Sequence, residues 1–183
     1  MCSLSGVKSA LIAVGGKAKN YLNNCELYAI RSNKWRQLPY LSIPRYLPAS
    51  ILFDSMKAFC FRGALSKYNH SLLGSIEGLQ IGCEERWRIL AVCEKIKHYS
   101  SLVAASFENK IVLFGGKSNW VTFVFSEEAE LLQDLSSRKK TYPLFYPKVF
   151  TCANRNIYTV EKFKENYDTE WRLKVFNGSK WAK

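Results

Sequence analysis

Histidine is almost missing from this 183-residue chain, which has only His70 and His98. A nucleophilic triad needs a base held beside its nucleophile and an acid to orient that base. No Gly-x-Ser-x-Gly elbow is present to supply the rest. The six cysteines (Cys2, Cys25, Cys60, Cys83, Cys93 and Cys152) contain no Cys-x-x-Cys pair, and the spacing of Cys83, Cys93 and His98 matches no common zinc pattern. Neither Gly-x-x-x-x-Gly-Lys nor Gly-x-Gly-x-x-Gly occurs, so no phosphate-cradling loop is expected. With ten glycines and five prolines there is no low-complexity linker. No apolar run approaches the roughly 20 residues that a membrane-crossing helix needs, and the run before Gly15 is too short for most signal-peptide cores. These absences leave no catalytic residue, no metal and no cofactor to assign. The chain reads as a non-enzyme with no membrane partner.

Acidic residues are also scarce: 15 Asp and Glu stand against 27 Lys and Arg, a net charge of +12. Such an imbalance invites an acidic partner. The basic residues are scattered, and the densest run is Ser137–Lys140 (SRKK). Nucleic-acid binders concentrate their charge on one face or arm, so nucleic acid is the weaker reading. Glu127, Glu128 and Glu130 sit in a polar, helix-like insert, read as an exposed strand edge or helical turn rather than an acid–base pair. Hydrophobic residues make up 48% and aromatic residues 14%, enough for one folded domain over 1–183. Cysteines lie inside apolar runs such as Ala58–Phe61 (AFCF) and Phe150–Ala153 (FTCA). Buried free thiols fit a reducing compartment, and the cytoplasm is expected.

What the sequence does contain is a repeat. Ile111–Phe114 (IVLF) runs into Gly115, Gly116 and Lys117, while Ala10–Val14 (ALIAV) runs into Gly15, Gly16 and Lys17. From Gly16 to Gly116 is 100 positions, which predicts a period near 50 and a copy near 65. Ala58–Phe61 followed by Arg62-Gly63 is that copy, and Ile157–Val160 (IYTV) is a fourth without glycines. A hairpin precedes the last three of these strands, through short polar turns at 54–57, 108–110 and 154–156. The runs are apolar on consecutive positions, so both faces of these strands are expected to be covered. Each unit then carries aromatics: Tyr28 with Trp35, Trp87, Tyr142 in the third, and Phe176 with Trp181.

Four apolar residues, Gly-Gly, a strand with Tyr, a turn and Trp resemble the kelch repeat, and Leu38–Arg45 (LPYLSIPR) is similar to the stretch that follows the kelch tryptophan. No Trp-Asp dipeptide occurs, and the period exceeds that of WD40 repeats. The resemblance implies an all-β, kelch-type β-propeller of about four blades, open or partial, with approximate units 9–45, 46–98, 99–146 and 147–183. It implies Gly15, Gly16, Gly63, Gly115 and Gly116 at blade ends, where a repeated glycine pair needs close backbone approach or positive φ. It makes Tyr28, Trp35, Trp87 and Trp181 packing anchors between blades. Loops at one rim would bind a partner protein or an acidic or polar peptide. By motif position these contribute Lys17, Asn20 and Tyr21; Lys67, Tyr68 and His70; and Lys117, Asn119 and Trp120. Loops joining blades add Arg45, Lys97 and His98.

Units of this length make slightly under four blades from 183 residues, and the N-terminal MCSLSGVK is a poor candidate for a missing strand. Unclosed ends would expose apolar faces and favour self-association. Related domains recognise substrates for cullin-type ubiquitin ligases or bind actin, and these roles follow from the resemblance alone. The alternatives are a propeller-scaffold enzyme acting on sugars, of oxidase or epimerase type, and a basic nucleic-acid-binding domain.

Overall fold

The structure, a computed structural model, describes residues 3–7, 10–54, 56–65, 73–99, 102–115, 121–126, 131–135, 145–152, 156–165, 168–177 and 181–182. The chain is all-β, built as four antiparallel four-stranded sheets in which strands follow one another in chain order. The first sheet comprises β1 (Ser3–Val7), β2 (Ala10–Lys17), β3 (Tyr21–Ala29) and β4 (Lys34–Leu38). The second comprises β5 (Ala49–Phe53), β6 (Lys57–Phe61), β7 (Ser75–Gln80) and β8 (Arg88–Val92). A short helix, α1 (Glu94–Lys97), follows. The third sheet holds β9 (Leu102–Phe107), β10 (Lys110–Gly115), β11 (Val121–Ser126) and β12 (Leu131–Asp134). The fourth holds β13 (Phe145–Cys152), β14 (Asn156–Glu165), β15 (Asp168–Phe176) and β16 (Trp181–Ala182). These sheets fall into two compact units, Met1–His98 and Tyr99–Lys183. No helix among the described residues is long and apolar enough to cross a membrane.

Two elements differ from the sequence expectation, and a third resolves an alternative it left open. The N-terminal segment, read as a poor strand candidate, is β1, paired with β2 from Ser3↔Val14 to Val7↔Ala10. Its Leu-Ser-Gly-Val gives little apolar signal of its own, and an edge position asks for backbone pairing on one side only. Of the two readings of the insert, strand edge or helical turn, Leu131–Asp134 takes the first: it is the edge strand β12, paired with β11. The joining loop 93–100 contains α1, whose Ile96 is buried.

In the first unit the two sheets share a core. Alternation along β2 and β3 turns Ile12, Val14, Cys25 and Leu27 to one face, where they cluster with Leu52, Ala58, Cys60, Leu79 and Trp87. The opposite face of the second sheet, with Ile51, Phe53, Phe59, Phe61 and Ile76, is buried as well. Phe59 lies 6.2 Å from both Phe53 and Phe61, centroid to centroid. Runs that are apolar at every position therefore belong to strands covered on both faces, as their pattern requires. Burial pushes the thiols of Cys25 and Cys60 up to about 12, and Cys25, Cys60, Cys83 and Cys93 are free.

In the second unit Ala105, Val112 and Phe114 of the third sheet cluster with Ile157 and Phe176 of the fourth. Phe107 and Phe176 meet edge to face at 5.6 Å.

The aromatic anchors divide. Trp87 is buried, and its indole N–H donates to the Pro39 carbonyl oxygen at 3.0 Å. Trp35, expected to pack between sheets, is 51% exposed and lies against Tyr28 at 5.0 Å. The reason is the face it takes: Trp35 sits on β4 beside Tyr28, on the face opposite the buried Leu27 and Leu38. Trp181 pairs with Phe176 in register on β16, and its side-chain packing lies outside the described residues, as do Tyr142 and the 127–130 acids.

Candidate partner-binding surface

The first glycine pair sets the geometry. Gly15 and Gly16 take φ of 59° and 128°, conformations that L-residues rarely adopt. A Cβ on Gly15 would stand 2.7 Å from the Arg45 carbonyl oxygen, which accepts the Gly16 N–H at 2.7 Å. The glycines thus let the 39–48 connection pass directly over the end of β2. Leu41 and Arg45 donate their backbone N–H groups to Asn23 and Leu22, both at 2.9 Å. In the second sheet of the same unit, Arg62-Gly63 takes matching φ values of 57° and 134°. There a Cβ on Gly63 would meet the Arg45 Cβ at 2.8 Å. Two glycine signals in the repeat therefore make room for one residue, Arg45.

Arg45 itself is not a surface residue. The expectation that it joins a binding rim is corrected by its burial, at 0% side-chain exposure. Its Nη1 donates to the carbonyl oxygens of Arg62 (2.8 Å) and Ser75 (3.0 Å). Its Nη2 donates to Ser75 Oγ at 2.8 Å and to the carboxylate of Glu77, also wholly buried. The second Glu77 oxygen accepts the Ser42 N–H at 2.9 Å. A guanidinium in a sheet interior must find such partners, because an unpaired buried charge is costly. Only Nε is left without one. Arg45 and Glu77 thereby lock the connection to β7.

That lock presents the next residue, Tyr46, to the surface. Tyr46 and Ala64 exchange backbone hydrogen bonds at 3.0 and 2.9 Å, in an isolated antiparallel bridge. The Tyr46 ring meets Tyr21 at 5.9 Å, tilted by 39°. Lys17, exposed at the end of β2, places Nζ 5.7 Å from the Tyr21 centroid and 5.9 Å from that of Tyr46. Asn20 is exposed in the same turn, where its carbonyl oxygen accepts the Ala18 N–H at 3.0 Å. Of the sequence-predicted residues, Lys17 and Tyr21 therefore come together, with Asn20 in the turn between them. Tyr46 was missed, although it directly follows the Pro-Arg of the repeat.

Lys97 and His98 lie at the end of α1, where Lys97 Nζ pairs with Glu94 Oε2 at 3.1 Å and His98 is exposed. No described hydrogen bond, ion pair or ring contact joins them to the Lys17 cluster. Lys67, Tyr68 and His70, and Gly116, Lys117, Asn119 and Trp120, lie outside the described residues. Gly115 has φ of 126° at the end of β10. Among the described residues no group of three or more His, Cys, Asp or Glu side chains converges to hold a metal ion. The surface chemistry is that of a cation over two phenol rings. No protein-family model matches the chain, and no curated protein matches it either.

Proposed function

We propose that this chain is a kelch-type propeller module that binds a partner protein, without catalysis, through the loops at the glycine ends of its sheets. The observation carrying this reading is the Lys17–Tyr21–Tyr46 cluster, held at a sheet end by the buried Arg45. Function concentrates on loops carried by a rigid scaffold, and this cluster is anchored by backbone bonds on both sides. Four successive four-stranded antiparallel sheets with strands in chain order support the propeller type, since blades have that order. The matched φ pairs at Gly15-Gly16 and Arg62-Gly63 support a repeat. Exposed Lys17 and a net charge of +12 favour an acidic or polar segment as ligand. Substrate recognition for a cullin-type ubiquitin ligase and actin association are roles that the kelch resemblance implies for such a module. Free thiols at Cys25, Cys60, Cys83 and Cys93 support a reducing compartment.

The test is selection from a random peptide library, followed by affinity measurement of the selected peptides. Enrichment of Asp and Glu is expected, with about a tenfold loss of affinity in a Tyr21→Ala, Tyr46→Ala variant, the cost of removing two central aromatics. Peptides that bind the variant as tightly as the parent would remove the assignment of this surface.

A further inference from the structure

β4 is the last strand of the first sheet and, among the described residues, pairs with β3 alone. Lys34, Trp35, Arg36 and Gln37 are all exposed. A strand paired on one side offers a row of open N–H and C=O groups on the other. The Gln37 side-chain amide donates to the carbonyl oxygens of Cys25 and Leu38, both at 3.0 Å. Among the described residues, no backbone group bonds to Lys34–Arg36 from the open side.

The side chains of this edge have a definite chemistry. Trp35 is 51% exposed and Ile30, in the adjoining turn, is 46% exposed. Trp35 and Gln37 point to one face, Lys34 and Arg36 to the other. Arg31, in the turn, is exposed too. Among the described residues none of Arg31, Lys34 and Arg36 forms an ion pair. From Tyr21 to Leu38 the only acid is Glu26, opposite Gln37.

We propose that the β4 edge receives an acidic, extended segment of another protein as a fifth strand. Acidic residues of that segment would lie beside Lys34 and Arg36, and an alternate apolar residue would pack on Trp35. The match is one of charge and of hydrogen bonding at once: open strand groups are complemented by a peptide backbone, and uncommitted cations by carboxylates. A second copy of this chain is a poor occupant, because two such edges would bring Lys34 and Arg36 against each other. A nucleic acid would answer the cations but leave the strand edge unpaired. This surface is separate from the Lys17–Tyr21–Tyr46 cluster and does not depend on its role.

The test uses the full chain and a fluorescein-labelled ten-residue peptide alternating Glu with Val, read by anisotropy. Binding is expected, weakened about tenfold by combined Lys34→Glu and Arg36→Glu and by moderate salt. Trp35→Ala is expected to weaken it severalfold, and Tyr21→Ala with Tyr46→Ala to leave it unchanged. A peptide with proline at two central Val positions keeps the charge but loses backbone donors, and it is expected to lose binding. The peptide-side control needs no altered protein, so a variant that fails to fold does not decide the matter. Equal binding of the proline peptide overturns the proposal. So does tighter binding of a single-stranded oligonucleotide of equal charge, insensitivity to the two charge reversals, or a dimer whose dissociation follows Lys34→Glu.

Discussion

At the scale of single residues, one buried arginine explains several features of the first unit. Gly15, Gly63 and Ser75 are each shaped by contact with Arg45. Gly15→Ala would place a Cβ at 2.7 Å from a backbone oxygen at positive φ, and a loss of about 2–3 kcal/mol is expected in chemical denaturation. Arg62 holds the equivalent conformation without being glycine, at φ of 57°. Burial also pulls its guanidinium down to about 10. Arg62→Gly relieves left-handed strain while adding unfolded-state freedom, so it is expected to change stability by less than about 1 kcal/mol. A larger loss would show that the Arg62 side chain contributes packing that outweighs its strain. Glu77→Ala strands the Arg45 charge in the interior, and about 3–5 kcal/mol is the expected cost. Changing both partners to apolar residues of similar volume should cost clearly less than the two single changes added together. A double-mutant cycle measures that difference.

At the scale of elements, two tryptophans from matching repeat positions have opposite environments. Trp87 contributes to the core between the sheets of its unit, whereas Trp35 stands on an edge strand. Trp87→Ala is expected to lower stability by about 3–5 kcal/mol and Trp35→Ala by less than about 1 kcal/mol. Equal losses in thermal or urea melts would contradict this division. The repeat made the aromatic positions legible but not their burial, because which face of a sheet is covered is a tertiary property. Likewise β1 carries too few apolar residues to announce itself, and pairing with β2 is what makes it a strand. The consecutive apolar runs of β5, β6 and β10 did announce themselves, since a strand buried on both faces has few positions for a polar side chain.

For the whole molecule, the buried thiols couple stability to pH. Cys25 and Cys60 have an ordinary value of 9.0 and are pushed up to about 12 by burial. Below pH 9 both states hold these protons, and the thiols add no pH dependence. Between about 9 and 12 the unfolded chain loses them while the folded chain keeps them, so stability falls as pH rises. Urea midpoints at pH 8, 9.5 and 10.5 are expected to decline in that order, and less steeply in a Cys60→Ala background. Alkylation at pH 8 should mark the exposed Cys83 and spare Cys25 and Cys60 until the chain unfolds.

The sequence alone determined the strand-rich class, the period and the position of the glycine turns, because local alternation and backbone sterics act over a few residues. It also brought Lys17, Asn20 and Tyr21 to notice through their place after Gly15-Gly16. It misplaced Arg45, since a cationic residue in a loop looks solvated until its partner is known, and Glu77 lies 32 residues away. Only the tertiary structure decided that Arg45 is interior, that Tyr46 meets Tyr21 and Lys17, and that Trp35 is open. Each depends on which strands end up beside one another, and burial is set by those long-range neighbours rather than by the local run of residues.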